Sequence, residues 1–130
     1  MYNIQKMNYG YKITFGDFMD ENEMKNWFEA SKVALQTAQP GFGTFIDMRT
    51  LKPLTPEAQK YMQEGQKLWK EKGMIKSVVI LANSITTMQF KRIAKETGIY
   101  QWERYIDATT NQNWEKAGID WVQNGIDPDK

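Results

Sequence analysis

The residues best suited to chemistry lie where a strand meets a helix, at positions 43–58, GTFIDMRTLKPLTPEA. Asp47 and Arg49 alternate with apolar Ile46 and Met48, so both side chains are expected on one side of the strand's carboxyl end. Either the two pair with each other or with a helix terminus, or Arg49 presents its planar guanidinium to an anionic ligand or a partner's carboxylate. The sequence alone leaves both interpretations open.

Hydroxyl groups gather at the same kind of junction. Thr50 and Thr55 follow this strand, and Ser84, Thr86 and Thr87 follow the next one. Such side chains are common in caps and turns. Yet the carboxyl ends of parallel strands and the N-termini of the helices that follow face one edge of a sheet, where free N–H groups can hold an anion. We therefore predict a binding rim for a partner or an anion, formed by Arg49, Thr50, Thr55, Ser84, Thr86 and Thr87.

The residue types that are missing narrow the range of activities. The chain has no histidine and no cysteine, which excludes Ser-His-Asp and Cys-His catalysis, disulfides and the commonest transition-metal sites. It also lacks a Gly-rich phosphate-binding motif. The acidic pair Asp20 and Glu23 lies at an expected helix start, where negative charge favours the helix dipole. We predict no catalytic residue, no metal site, no cofactor and no enzymatic activity.

Length and charge favour one domain that does not bind nucleic acid. At 130 residues, 41% of them hydrophobic, the chain is expected to form a single domain over residues 1–130. Its 17 basic and 16 acidic residues leave a net charge of +1, which implies neither nucleic acid nor an anionic membrane as partner. The longest apolar block, residues 78–82, is too short to span a membrane. A cytoplasmic location is the default expectation.

The core is expected to be rich in methionine and aromatic residues. Eight methionines, five tryptophans, six tyrosines and six phenylalanines are many for this length. Methionine fills irregular spaces, so such a core could leave room for a small hydrophobic ligand.

Hydrophobic periodicity and turn signals give the order of elements. An opening hairpin precedes a helix capped by Asp20, which must end before Pro40. Strands are predicted at residues 44–48, 75–82 and 102–106, and helices begin at Thr55, before Met88 and near Trp114. The order ββαβαβαβα predicts an α/β domain with a mixed, mostly parallel five-stranded sheet and helices on its faces. The continuous apolar run at 75–82 is typical of a strand buried on both faces.

This order, with DMRTLKPLTPEA at its centre, resembles the SpoIIAA-like or STAS family over nearly the whole chain. That family includes bacterial anti-sigma-factor antagonists and the cytoplasmic domains of some anion transporters. The features that carry the resemblance are the strand end Ile46-Asp47-Met48, then Leu51, then Leu54, and then a helix start.

The helix start departs from the family's usual form. That form is Asp-Ser-Ser/Thr-Gly, and its first serine is a regulatory phosphorylation site. Thr55, Pro56, Glu57 and Ala58 stand at these four positions, so the phosphoacceptor serine is missing. Thr55 is the only hydroxyl nearby, and its expected duty is to cap the helix. The chain is more similar to a divergent branch of SpoIIAA-like proteins, which also resemble lipid-binding Sec14-type domains.

The resemblance implies binding rather than chemistry. We predict a non-enzymatic regulatory or protein-interaction module of SpoIIAA-like fold, whose rim contacts a protein partner. A second copy of the chain, giving a homodimer, is one candidate partner. The alternative function is a carrier or sensor of a small hydrophobic or amphipathic, lipid-like ligand. A fold resemblance alone does not decide between them.

Overall fold

Strands and helices alternate along the chain in the computed structural model, which describes residues 1–130. The strands are β1 (Tyr2–Met7), β2 (Gly10–Asp17), β3 (Phe42–Leu51), β4 (Met74–Leu81) and β5 (Glu103–Asp107). The α-helices are α1 (Glu21–Ala34), α2 (Pro56–Glu71), α3 (Ser84–Thr97) and α4 (Trp114–Asn124), with short 3-10 turns at Leu35–Thr37 and Tyr100–Trp102. None of the helices combines the length and apolar character needed to cross a membrane.

The five strands form one mixed sheet in the order β1-β2-β3-β4-β5. β1 runs antiparallel to β2, whereas β2, β3, β4 and β5 are parallel to their neighbours. The α/β fold class and the mostly parallel sheet predicted from the sequence are therefore confirmed. Because β2 to β5 point the same way, they end at one edge of the sheet, which we call the carboxyl edge. Each of the four α-helices begins at that edge.

The helices cover the two faces of the sheet unequally. α1, α2 and α3 pack on one face over a core that includes Trp27, Trp69 and Phe90. α4 packs on the other face, where Trp121 contributes to a smaller core. β4 supplies side chains to both cores, with Val79 in the first, and Val78 and Ile80 in the second. The prediction of a strand buried on both faces is thus confirmed.

Local signals placed most helix starts correctly. The Asp20 side chain accepts a hydrogen bond from the Glu23 N–H at 2.8 Å, and Thr55 Oγ1 accepts one from the Ala58 N–H at 3.3 Å. Pro56 stands in the first helical turn of α2. β3 is longer than the predicted segment 44–48, because its last residues continue to pair with β2 beyond the end of β4.

A glycine sets the spacing between α1 and α2. Gly65 of α2 is buried against the six-membered ring of Trp27 on α1, and a Cβ atom at position 65 would overlap that ring. The absence of a side chain here lets the Trp27 indole, which is 2% exposed, lie between α2 and the sheet.

Candidate functional site

Arg49 is held in place by its neighbour two residues earlier. Arg49 Nε and Nη2 donate to the two carboxylate oxygens of Asp47 at 3.0 and 2.9 Å, and the Arg49 backbone N–H donates at 3.1 Å. The guanidinium carbon also lies 4.0 Å from the centroid of the Trp114 ring on α4. The structure therefore shows the pairing that was one of the two interpretations of this segment.

The burial of the two partners is unequal. Asp47 is 8% exposed as a residue, whereas the Arg49 side chain is 44% exposed. Burial raises the pKa of the Asp47 carboxyl, but the hydrogen bonds from Arg49 and the charges of Arg49 and Lys12 outweigh it and leave the pKa below its ordinary value of 3.8. The hydrogen bond to Asp47 raises the pKa of Arg49, so both groups are charged at neutral pH. The pair leaves Arg49 Nη1 for a further partner.

Three of the predicted rim hydroxyls make hydrogen bonds within the fold. Thr55 caps α2, as described above. Thr86 is fully buried, and its hydroxyl donates to the Leu51 carbonyl oxygen at 3.3 Å. The Thr87 hydroxyl donates to the Asn83 carbonyl oxygen at 2.9 Å. The Thr86 contact joins the first turn of α3 to the end of β3, and its burial keeps Thr86 out of reach of a partner.

The remaining predicted positions do not form one group. Thr50 and Ser84 are exposed at the carboxyl edge. Arg49, however, lies against α4, whereas Thr55 and Thr86 lie at the start of α2 and α3 on the opposite face of the sheet. The sheet thus separates Arg49 from these two helix N-termini.

The structure adds an apolar patch at the carboxyl edge that the sequence reasoning missed. It consists of Phe18 (53% exposed), in the loop after β2, and Ile85 (58%) and Met88 (71%), on the first turns of α3. The Lys52 N–H donates to the Asp17 carbonyl oxygen at 3.0 Å, next to Phe18, and Met88 borders a surface cleft with Tyr105 and Asp107 of β5. Exposed apolar residues are hard to find from a sequence, because the same letters also mark core positions.

The loop between β3 and α2 is fixed against α3 beside this patch. Gln89 of α3 accepts from the Leu54 N–H at 2.8 Å and donates to the Leu54 carbonyl oxygen at 3.1 Å. Gln59 of α2 donates to the same oxygen at 3.0 Å. These amide contacts tie the β3–α2 loop to α2 and α3 beside the patch.

A second unpredicted feature is a buried acid on β5. Glu103 is 2% exposed, lies opposite Ser77 of β4, and accepts a hydrogen bond from the Tyr105 hydroxyl at 2.7 Å through Oε1. Its Oε2 and the Ser77 hydroxyl have no directed hydrogen-bond partner. Burial raises the pKa of Glu103 from 4.5 to about 7, although Ser77 and Tyr105 act to lower it. The alternation along β5, which puts Glu103 on the face under α3, was the signal that could have revealed it.

Glu103 also borders an interior cavity between the sheet and helices α1 to α3. The cavity has a volume of about 20 Å³, and its lining includes Trp27, Trp69, Gln66 and Glu103. The indole N–H groups of Trp27 and Trp69 are buried without partners. This volume is enough for about one water molecule.

The comparisons with known proteins identify no family for this chain. A scan against protein-family models found no match, and a search of curated proteins found no significantly similar sequence. Within the structure, no group of three or more acidic side chains is arranged to hold a metal ion.

Proposed function

We propose that this chain is a non-enzymatic regulatory or protein-interaction module that binds a protein partner at the carboxyl edge of its sheet. The observation that carries this proposal is the apolar patch of Phe18, Ile85 and Met88, each more than half exposed. Single exposed apolar residues are common on protein surfaces, whereas several of them at one edge of a fold favour an interaction site there.

Hydrogen bonds along the carboxyl edge join the elements that carry the three apolar side chains. Ile85 and Met88 are three residues apart on α3 and so share one helix face. Thr86, next to Ile85, bonds the Leu51 carbonyl, and Lys52, next in the chain, bonds the carbonyl of Asp17, which precedes Phe18. The first turn of α3 and the loop after β2 are thus both tied to residues 51–52 at the carboxyl edge.

The rigidity of this edge also favours a protein-binding role. Gln89 and Gln59 fix the β3–α2 loop through three hydrogen bonds to Leu54. A surface that is already ordered loses little conformational entropy on binding, so more of the contact energy appears as affinity.

The resemblance to SpoIIAA-like proteins supports the same class of function. It also implies a difference in control, because Pro56 stands where the family has its phosphorylated serine and Thr55 is used as a cap. We propose that partner binding here does not depend on phosphorylation at the start of α2.

The alternative, a carrier of a lipid-like ligand, has weaker support. Met48, Met62 and Met74 line the interior cavity and give it adaptable walls. The enclosed volume of about 20 Å³ is nevertheless far below the roughly 300 Å³ or more that a typical ligand pocket offers. A lipid-like ligand would require the core to open.

Site-specific cross-linking tests the proposal. A photoreactive amino acid placed at Met88 should form a covalent adduct with one protein in cells of the source organism. The matched control is Val33, an apolar residue on α1 that is 66% exposed and lies in the last turn of that helix, away from the carboxyl edge. The same adducts from both positions, or none from position 88, would contradict a partner site at this edge. Native mass spectrometry of the purified chain separates the alternative, since a copurified small molecule would favour the carrier.

A further inference from the structure

A buried carboxyl group separates two spaces in this protein. The first is the interior cavity. The second is a surface cleft of about 420 Å³ at the free edge of β5, which we call the β5 cleft. Glu103 lines both spaces. No other residue of the two linings is shared, so Glu103 stands between the apolar interior and the surface.

Groups from several elements surround the Glu103 carboxyl. The Tyr105 hydroxyl donates to Oε1, and Ser77 lies opposite on β4. On the helix side, Gln66 of α2 borders the same cavity and accepts a hydrogen bond from the Thr97 hydroxyl of α3 at 2.7 Å. Oε2 has no well-directed hydrogen bond, although the Ser77 hydroxyl opposite it lowers the pKa of the carboxyl, so the carboxylate can accept a further hydrogen bond if water enters.

Other ionisable groups surround the β5 cleft, and they come from the strand, from α3, from a 3-10 turn and from the C-terminal residues. They are Lys91, Tyr100, Arg104, Tyr105 and Asp129. Arg104 is occupied by a two-bond contact with Asp127 at 2.9 and 3.0 Å. Lys91 Nζ lies 5.4 Å from the Tyr105 ring centroid, and so it is the cation of α3 that lines the cleft together with Glu103. Gln66 and Ser77, which face the carboxyl from α2 and β4, do not titrate.

We propose that Glu103 is a proton-operated latch between the interior cavity and the β5 cleft. In its neutral form the carboxyl group, hydrogen-bonded by Tyr105, closes the boundary between the interior cavity and the β5 cleft. When it loses its proton, the charged carboxylate, which Tyr105 and Ser77 satisfy only in part, draws water into the cavity from the cleft. The packing of α3 against β5 then loosens at the cleft, where Lys91 of α3 lines the surface.

The latch has a defined pH range. Because burial raises the pKa of Glu103 from 4.5 to about 7, the folded state holds this proton more tightly than the unfolded chain does. The contribution of Glu103 to the free energy of unfolding is therefore greatest below about pH 4.5. It falls between about pH 4.5 and 7 and changes no further above that range. Between these two pKa values the folded state binds one proton more than the unfolded chain, so the unfolding constant rises tenfold for each pH unit. The rise over the whole range is about 300-fold.

Fluorine NMR on the full chain labelled with 5-fluorotryptophan tests the latch. Among the five tryptophans, Trp27 and Trp69 line the interior cavity, whereas Trp114 lies on the opposite face beside Arg49 and serves as an internal control. We expect the resonances of Trp27 and Trp69 to titrate near pH 7 and to gain a solvent isotope shift between H₂O and D₂O above that pH. Trp114 should keep a constant isotope shift.

Two variants keep the test decisive. Glu103→Gln preserves the shape of the side chain. In this variant the tryptophan resonances should no longer titrate near pH 7. The unfolding constant should also lose the roughly 300-fold rise between pH 4.5 and 7 that is expected of the parent. Tyr105→Phe removes a hydrogen bond that lowers the pKa of Glu103, so its midpoint should rise. Titration of Trp27 and Trp69 without a new isotope shift would show a cavity that stays dry and would overturn the latch. An unchanged titration in Glu103→Gln would remove Glu103 from the mechanism.

Discussion

The unequal burial of Asp47 and Arg49 predicts unequal effects of replacing them. Arg49→Gln leaves a carboxylate that is 8% exposed without its two guanidinium hydrogen bonds. Hydrogen bonds to charged groups contribute about 1.5 to 3 kcal/mol, and water reduces this where a partner is exposed, as the Arg49 side chain is at 44%. We expect Arg49→Gln to lower the free energy of unfolding by about 2 kcal/mol, since a buried charge loses its partner.

Asp47→Asn should be less damaging. It frees the exposed guanidinium, which water can solvate, and an amide oxygen can still accept from the Arg49 backbone N–H. We expect a loss of about 1 kcal/mol, and a coupling energy of about 1 kcal/mol when both substitutions are combined. Urea denaturation of the parent, the two single variants and the double variant at pH 7 measures all three values. Equal losses, or a coupling energy within about 0.3 kcal/mol of zero, would refute the reasoning from burial.

The same pair gives a pH dependence with a definite sign. Because the pKa of Asp47 is lowered from 3.8, the carboxylate contributes stability above the ordinary pKa, and this contribution is lost as the pH falls through the lowered one. The stability advantage of the parent over Arg49→Gln should therefore be constant near neutral pH and disappear in strong acid. An advantage that persists in strong acid would mean that Arg49 stabilises the fold through its contact with Trp114 alone.

Two further substitutions test the packing. Val79→Asp places a charge in the larger core, where Val79 is 1% exposed. It should lower the free energy of unfolding by several kcal/mol, which is comparable with the stability of a whole domain. A melting temperature within a degree or two of the parent would contradict the burial of β4. Gly65→Ala should lower stability by about 1 to 3 kcal/mol by displacing Trp27, although alanine favours a helix by about 1 kcal/mol. Thermal unfolding that shows a more stable Gly65→Ala variant would mean that the indole moves freely.

The features predicted correctly from the sequence were those that depend on neighbouring residues. Asp20 and Thr55 cap the helices that follow them, because a cap needs only an oxygen side chain and the next few N–H groups. The apolar run of β4 and the alternation of strands and helices predicted the parallel sheet, because both patterns are also read from neighbouring residues. These signals are local, and tertiary packing did not reverse them.

The features missed depend on which face of the sheet each helix covers. Arg49 and Thr86 follow neighbouring strands, yet Arg49 faces α4, and Thr86 is buried beside Leu51 on the other side. The sequence places both at the carboxyl edge but does not say that the sheet lies between them. Glu103 was missed for a related reason, since the alternation that gives its face becomes informative only once α3 is known to cover that face.

Asp47 and Glu103, the two acids on the sheet, differ in how well their charge is compensated. This difference indicates a structural role for Asp47 and a functional role for Glu103. Asp47 is satisfied by a guanidinium and a backbone N–H, and its lowered pKa reflects a stabilising contact. Glu103 is more deeply buried, has an oxygen without a partner, and its pKa is raised towards neutrality, so its presence lowers stability at neutral pH. A glutamine or leucine would serve the core better. A group that weakens the fold and titrates near neutral pH is where a functional role is expected first.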